Sequence, residues 1–108
     1  MLARPQRLST KQFDQYFKSG RRWHFVNCTI IYTPLPTLHG SVVVGKKVSK
    51  QAVTRNTIRR RVYAQLRQVC SVTNTSGVFI INIKPSYTAL TRKAAQLEIA
   101  TNIAQVGK

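Results

Sequence analysis

Acidic side chains are nearly missing from this sequence: Asp14 and Glu98 stand against 18 Lys and Arg in 108 residues, a formal charge of +16. Two acids so far apart cannot build the carboxylate cluster with which metal-dependent nucleases hold divalent ions. His24 and His39 are the only imidazoles. One falls near a strand start and the other in a proline-rich turn, with nothing beside either to orient it for acid–base work. Catalysis by the polypeptide alone is not expected. Cysteine is equally scarce: Cys28 and Cys70 form no CxxC pair. That argues against a zinc ribbon or a disulfide scaffold and leaves two small buried hydrophobes in a reducing compartment. No segment approaches the length of a membrane span, and "MLARPQRLSTKQF" lacks the apolar run of a signal peptide. Pro5 and the early onset of fold-like patterning speak against a transit peptide. A cytoplasmic protein without a membrane partner is expected.

What is present fits one folded domain over residues 1–108, with 43% hydrophobic residues. So large a positive charge opposes compaction and favours a polyanion partner. Nucleic acid is the first candidate, because neutralised phosphates release condensed counterions. The segment Lys46 to Arg67, "KKVSKQAVTRNTIRRRVYAQLR", concentrates eight of the basic residues with no acid among them. Helices on a protein surface usually mix their charges, so the missing counter-charge belongs to another molecule.

The elements can be read in order. Ser9 and Gln12 have capping-box spacing, with Leu8 placed to staple the first turn. Phe13, Tyr16 and Phe17 then share a face, as core or as a platform for unpaired bases. Ser19 and Gly20 end this helix, Gly20 being suited to a left-handed cap. "WHFVNCTIIY", from Trp23 to Tyr32, reads as one strand. "TPLPTLHG" reads as a turn, and "SVVVGKKV" as a second strand, antiparallel to the first if that turn is a hairpin. A basic helix starts between Ser49 and Thr54, either of which suits its N-cap. After the loop "SVTNTSG", "VFIINI" is apolar enough for a central strand, closed by Lys84 and Pro85. A last helix runs from Thr88 or Thr91 to Val106, offering Leu90, Ala94, Leu97, Ile103 and Val106 to the core. The order helix-strand-strand-helix-strand-helix defines an α+β fold, a single-domain α–β sandwich with a strand–helix–strand crossover.

At about 100° per residue, Ile58, Val62, Leu66 and Val69 of the basic helix fall within roughly 60° of one another and face the core. Arg55, Asn56, Arg59, Arg60, Tyr63 and Arg67 form a polar wall beside that stripe, and Arg61 points elsewhere. Arginine suits RNA, since its planar fork binds phosphate in bidentate fashion and stacks on bases.

These residues resemble a known family. "VVVGKKVSKQAVTRNTIRRRVYAQLR" is similar to the signature of the bacterial ribonuclease P protein component: a strand ending in Lys-Lys, a spacer, then Arg-Asn-x-x-[Lys/Arg]-Arg. "RLSTKQFDQYFKSGRR" resembles that family's first helix, and "VFIINIKPS" its later apolar strand. The resemblance implies an α–β sandwich whose βαβ crossover is left-handed, against the usual rule. It implies a subunit of an endoribonuclease whose RNA performs the cleavage that matures tRNA 5′ ends. The partners implied are the catalytic RNA, one protein per RNA, and precursor tRNA; magnesium ions are held mainly by the RNA. Carried over by position, Lys46, Lys47, Arg55, Asn56, Arg59 and Arg60 face the catalytic RNA, and Lys50 and Arg67, within the same basic segment, are expected to bind RNA beside them. Phe13, Phe17, Tyr32 and Lys84 belong to a cleft for the single-stranded leader, Tyr32 standing about one residue off the family's register. Thr57 replaces a usual Arg, Tyr63 and Ala64 replace a common Arg-Glu pair, and no basic extension follows Gly107. The competing reading is a structural RNA-binding protein of the ribosomal type. A DNA binder using the Arg helix in a major groove is a third, with no dimerisation element in view.

Overall fold

Ser9 opens the fold as its spacing predicts. Its hydroxyl accepts from the Gln12 amide at 3.2 Å, while the Gln12 side chain accepts from the Ser9 amide at 3.1 Å. The helix so capped, α1, is Thr10–Ser19 in a computed structural model that describes residues 8–106. The stretch before Leu8 and the tail from Gly107, read above for a leader and for a basic extension, lie outside the described residues. Gly20 ends α1 in extended rather than left-handed backbone, with φ −71°. Glycine serves there for close approach: a Cβ would lie 2.5 Å from Ile31 Cγ2 and 2.8 Å from the Tyr16 carbonyl oxygen.

The single strand expected from Trp23 to Tyr32 is two. β1 is Arg21–His24 and β2 is Cys28–Thr33, paired antiparallel. Between them the chain reverses at residues 25–27, where the Phe25 amide donates to the Cys28 carbonyl at 2.8 Å. Asn27 marks the reversal, its side chain donating to Glu98 Oε1 at 2.7 Å.

β3, Leu38–Val43, is not the hairpin partner of β2. β4, Gly77–Ile83, lies between them, giving the sheet order β1-β2-β4-β3 with β3 and β4 parallel. Pro34 and Pro36 suit no tight two-residue hairpin turn. Their loop is instead held to the start of β4, Gly77 N–H donating to Thr37 O at 3.1 Å and Ser76 Oγ to Leu35 O at 2.9 Å. Val78, Phe79, Ile80 and Ile81 are fully buried, as an apolar central strand should be.

The crossover helix α2 is Ala52–Thr73, and α3 is Arg92–Val106, preceded by a 3-10 turn over Pro85–Ala89. Gln51 stands at the α2 N-cap, its side chain accepting from Thr54 Oγ1 at 3.2 Å but capping no backbone N–H, so neither Ser49 nor Thr54 is the N-cap. Thr91 Oγ1 accepts from the Ala94 amide at 3.2 Å at the start of α3. One core layer packs Ile30, Val42, Phe79 and Ile81 of the sheet against Ile58, Val62, Leu66, Ile99 and Ile103 of α2 and α3. The other sheet face sets Ile31, Val78 and Ile80 against Leu8, Phe13, Tyr16 and Phe17. None of the α1 residues is fully buried, so α1 lies lightly on its face. In α3, Ile103 and Val106 reach the core as expected, and Leu90, which ends the 3-10 turn before the helix, packs at the core's edge. Ala94 is exposed and Leu97 is 63% exposed; Ala95, Ile99 and Asn102 are buried instead. The helix has apolar residues all round, so periodicity does not choose its inner face.

Candidate nucleic-acid interface

Two basic surfaces result. The first is the open part of the sheet face that carries α1. Strand alternation puts Ile31 and Ile80 side by side under α1, and Thr29 with Asn82 next along the same two strands. Beyond them a groove of about 370 Å³ is lined by Val43, Lys46, Lys47 and Lys84 as well as Thr29 and Asn82. Lys46 and Lys47 lie in the turn after β3, not within the strand, and both are exposed between the buried Val44 and Val48. Lys84 is half-buried, its ammonium donating to the Phe25 carbonyl. At the other end Phe13 and Phe17 stack with ring centroids 5.6 Å apart. Arg22 lies 4.5 Å from the Phe17 ring centroid and donates to the Phe17 carbonyl at 3.0 Å.

Tyr32 does not join them. It points to the opposite face, its ring centroid 4.8 Å from that of Phe79 and its hydroxyl donating to Ser76 O at 2.7 Å. The one-residue offset in register is a change of sheet face. Sequence reading missed Arg22, Thr29 and Asn82. Period-two alternation was the available signal: Asn82 follows Val78 and Ile80 on one face of β4.

The second surface is α2. Asn56, Arg60 and Arg67 are exposed. Arg55 folds back at the N-terminal end, donating to Ser49 O at 3.0 Å and Lys50 O at 2.9 Å, which leaves Lys50 exposed beside it. Arg59 donates to Asn56 Oδ1, pre-positioning that pair. Thr57, in place of a basic residue, turns its hydroxyl onto the Val53 carbonyl at 2.9 Å. Tyr63 does not belong to the wall. It is buried, and its hydroxyl accepts from the Val42 amide at 3.1 Å. Arg61 is half-buried on the side of α2 that faces α3.

Fold and surfaces together define a small α+β domain made to meet a polyanion, with one stripe of arginine and one mixed strip of aromatics and lysines. A family model described as Ribonuclease P matches residues 2–106. The chain is 32% identical over 104 residues to the ribonuclease P protein component of Synechococcus sp., covering 90% of this chain and 71% of the relative. It is 31% identical over 110 residues to that of Microcystis aeruginosa, covering 90% and 91%. Among solved structures, the RNase P protein of Staphylococcus aureus superposes with a TM-score of 0.70 at 18% identity, over 95% of this chain and 98% of that one. The chain belongs to the ribonuclease P protein family. Its role is that of the RNA-binding protein subunit of an endoribonuclease in tRNA 5′ processing, where RNA carries the catalysis. Among the described residues no helix is long and apolar enough to cross a membrane.

Proposed function

We propose that the chain divides its RNA between the two surfaces. Asn56, Arg60 and Arg67 on α2, with Lys50, Arg55, Arg59 and the Lys46 and Lys47 turn at its N-terminal end, take the catalytic RNA. The sheet strip from Phe13 and Phe17 to Lys84 takes the unpaired 5′ leader of precursor tRNA, one protein serving each RNA in the cytoplasm. The continuity of that strip carries the reading. Stacked rings at one end suit bases, and Lys84 at the other suits the backbone that links them. Magnesium belongs to the RNA in this scheme. It prefers phosphate oxygens and water, and the described residues bring no three of His, Cys, Asp and Glu together.

Added to a ribonuclease P RNA with magnesium at near-physiological salt, the full chain should stimulate cleavage of precursor tRNA. It should also make the enzyme prefer precursor over mature tRNA. Phe17→Ala should cost about tenfold in precursor affinity, in the range of one lost base–aromatic stack, with mature tRNA unaffected. An equal loss for both RNAs rejects the leader assignment.

A further inference from the structure

Arg61 takes no part in either surface above. It lines a cavity of about 160 Å³ between α2 and α3, together with Gln65, Gln68, Tyr87, Arg92 and Gln96. The chain's two acids are not among the lining residues, so two guanidinium groups share the cavity with uncharged partners only. Tyr87 shares the lining with Arg61, and the positive charge of Arg61 opposes the rise that burial gives the Tyr87 phenol's pKa.

Two further observations point to a ligand. Gln65 is only 8% exposed, and its Oε1 is buried without a hydrogen-bond partner. A buried amide oxygen left unpaired is costly; a half-turn of the amide only puts its NH2 group in the same partnerless site, so relief comes when the whole side chain swings toward the cavity it lines and meets a donor there. The start of α3 is the second. Arg92 and Lys93 occupy its first turn with no acid beside them. The helix dipole disfavours cations there and favours an anion.

We propose that this pocket takes a backbone phosphate of RNA on Arg61 and Arg92, with the adjoining ribose hydroxyl donating to Gln65. The RNA held on the Arg60 side of α2 then continues across the helix, so both flanks of α2 grip it. This rests on the reading that α2 meets the catalytic RNA. It extends the contact to α3, which no basic motif in the sequence marks.

The test is binding of the full chain to a ribonuclease P RNA over a range of salt. Arg61→Gln and Arg92→Gln should each lower the slope of log affinity against log salt by about one unit, as Arg60→Ala should. Gln65→Met should raise the melting temperature of the free protein, by removing an unpaired acceptor, yet weaken RNA binding about fivefold. That pairing of opposite signs is not expected of a purely structural residue. Unchanged slopes for Arg61→Gln and Arg92→Gln beside a reduced slope for Arg60→Ala overturn the pocket and leave the α2 surface standing. A wild-type chain that does not bind the RNA overturns both. An unchanged affinity for Gln65→Met removes the ribose contact from the proposal.

Discussion

Cys28 and Cys70 show what burial does to a single group. Cys28 is fully buried beneath α3, with the Asn102 side chain donating to its sulfur at 3.6 Å, and Cys70 is buried in α2. Desolvation pushes both thiols up from 9.0 to about 11, the Asn102 hydrogen bond only partly offsetting it at Cys28. Below pH 9 folded and unfolded chains both keep these protons, so the thiols add no pH dependence. Between pH 9 and 11 the unfolded chain releases them first, and stability falls by on the order of 2–3 kcal/mol per thiol. Urea unfolding across that range should show a larger loss in the native chain than in a variant with both cysteines changed to alanine, where only the raised Tyr87 phenol still contributes. Gly20 is a steric case. Gly20→Ala sets a methyl against Ile31 and the Tyr16 carbonyl, and backbone yields poorly, so about 1–3 kcal/mol should be lost in urea unfolding. An unchanged midpoint would mean that α1 can lift from β2 at no cost. At this scale the sequence was readable where an outcome is local, as in the Ser9 and Gln12 capping box. It was not readable where one residue of register decides. Tyr32 has the composition of a cleft residue, but alternation sends it to the other face.

Elements show the same division more broadly. α1, α2, β4 and α3 were visible from caps, helical periodicity and an unbroken apolar run. The break between β1 and β2 was not, because Phe25 and Val26 are as strand-like as their neighbours and only Asn27 interrupts them. The insertion of β4 between β2 and β3 is a long-range choice that no local pattern records. Tyr63 was misplaced for a related reason. Helical angles put it beside Asn56 and Arg67, but β3 reaches under that flank of α2 and buries it. Its hydroxyl then satisfies the Val42 amide of an edge strand, tying the crossover helix to the sheet. Tyr63→Phe keeps the ring and strands that buried N–H, at a cost of about 1–3 kcal/mol. The measurement is the urea midpoint together with hydrogen exchange at Val42, which should accelerate. Exchange at wild-type rate would show that another acceptor replaces the hydroxyl.

The whole chain carries +16, and its described residues have principal extents of 34 × 28 × 25 Å. At 0.01 M salt the Debye length is about 30 Å, so nearly every charge feels every other; at 0.15 M it is about 8 Å, and only neighbours interact. Stability of the free chain should therefore rise with sodium chloride over that range, since compaction brings like charges together. Screening alone makes sulfate and chloride equivalent at matched ionic strength. Bound anions do not, because a ligand that prefers the folded state adds stability through RT ln(1 + [L]/Kd). The arginine pairs and the lysine groove exist only when the fold assembles them, and divalent sulfate suits their forks better than chloride does. At about 5 mM, where sulfate's general exclusion from protein surface is negligible, sulfate should accordingly raise the urea midpoint beyond chloride at equal ionic strength, and the gain should saturate as sites fill. Equal midpoints would mean that the charge is spread without pre-formed anion sites. The larger rise would mean that folding and RNA binding draw on the same phosphate contacts, so that the catalytic RNA supplies in the complex the counter-charge that two acids cannot.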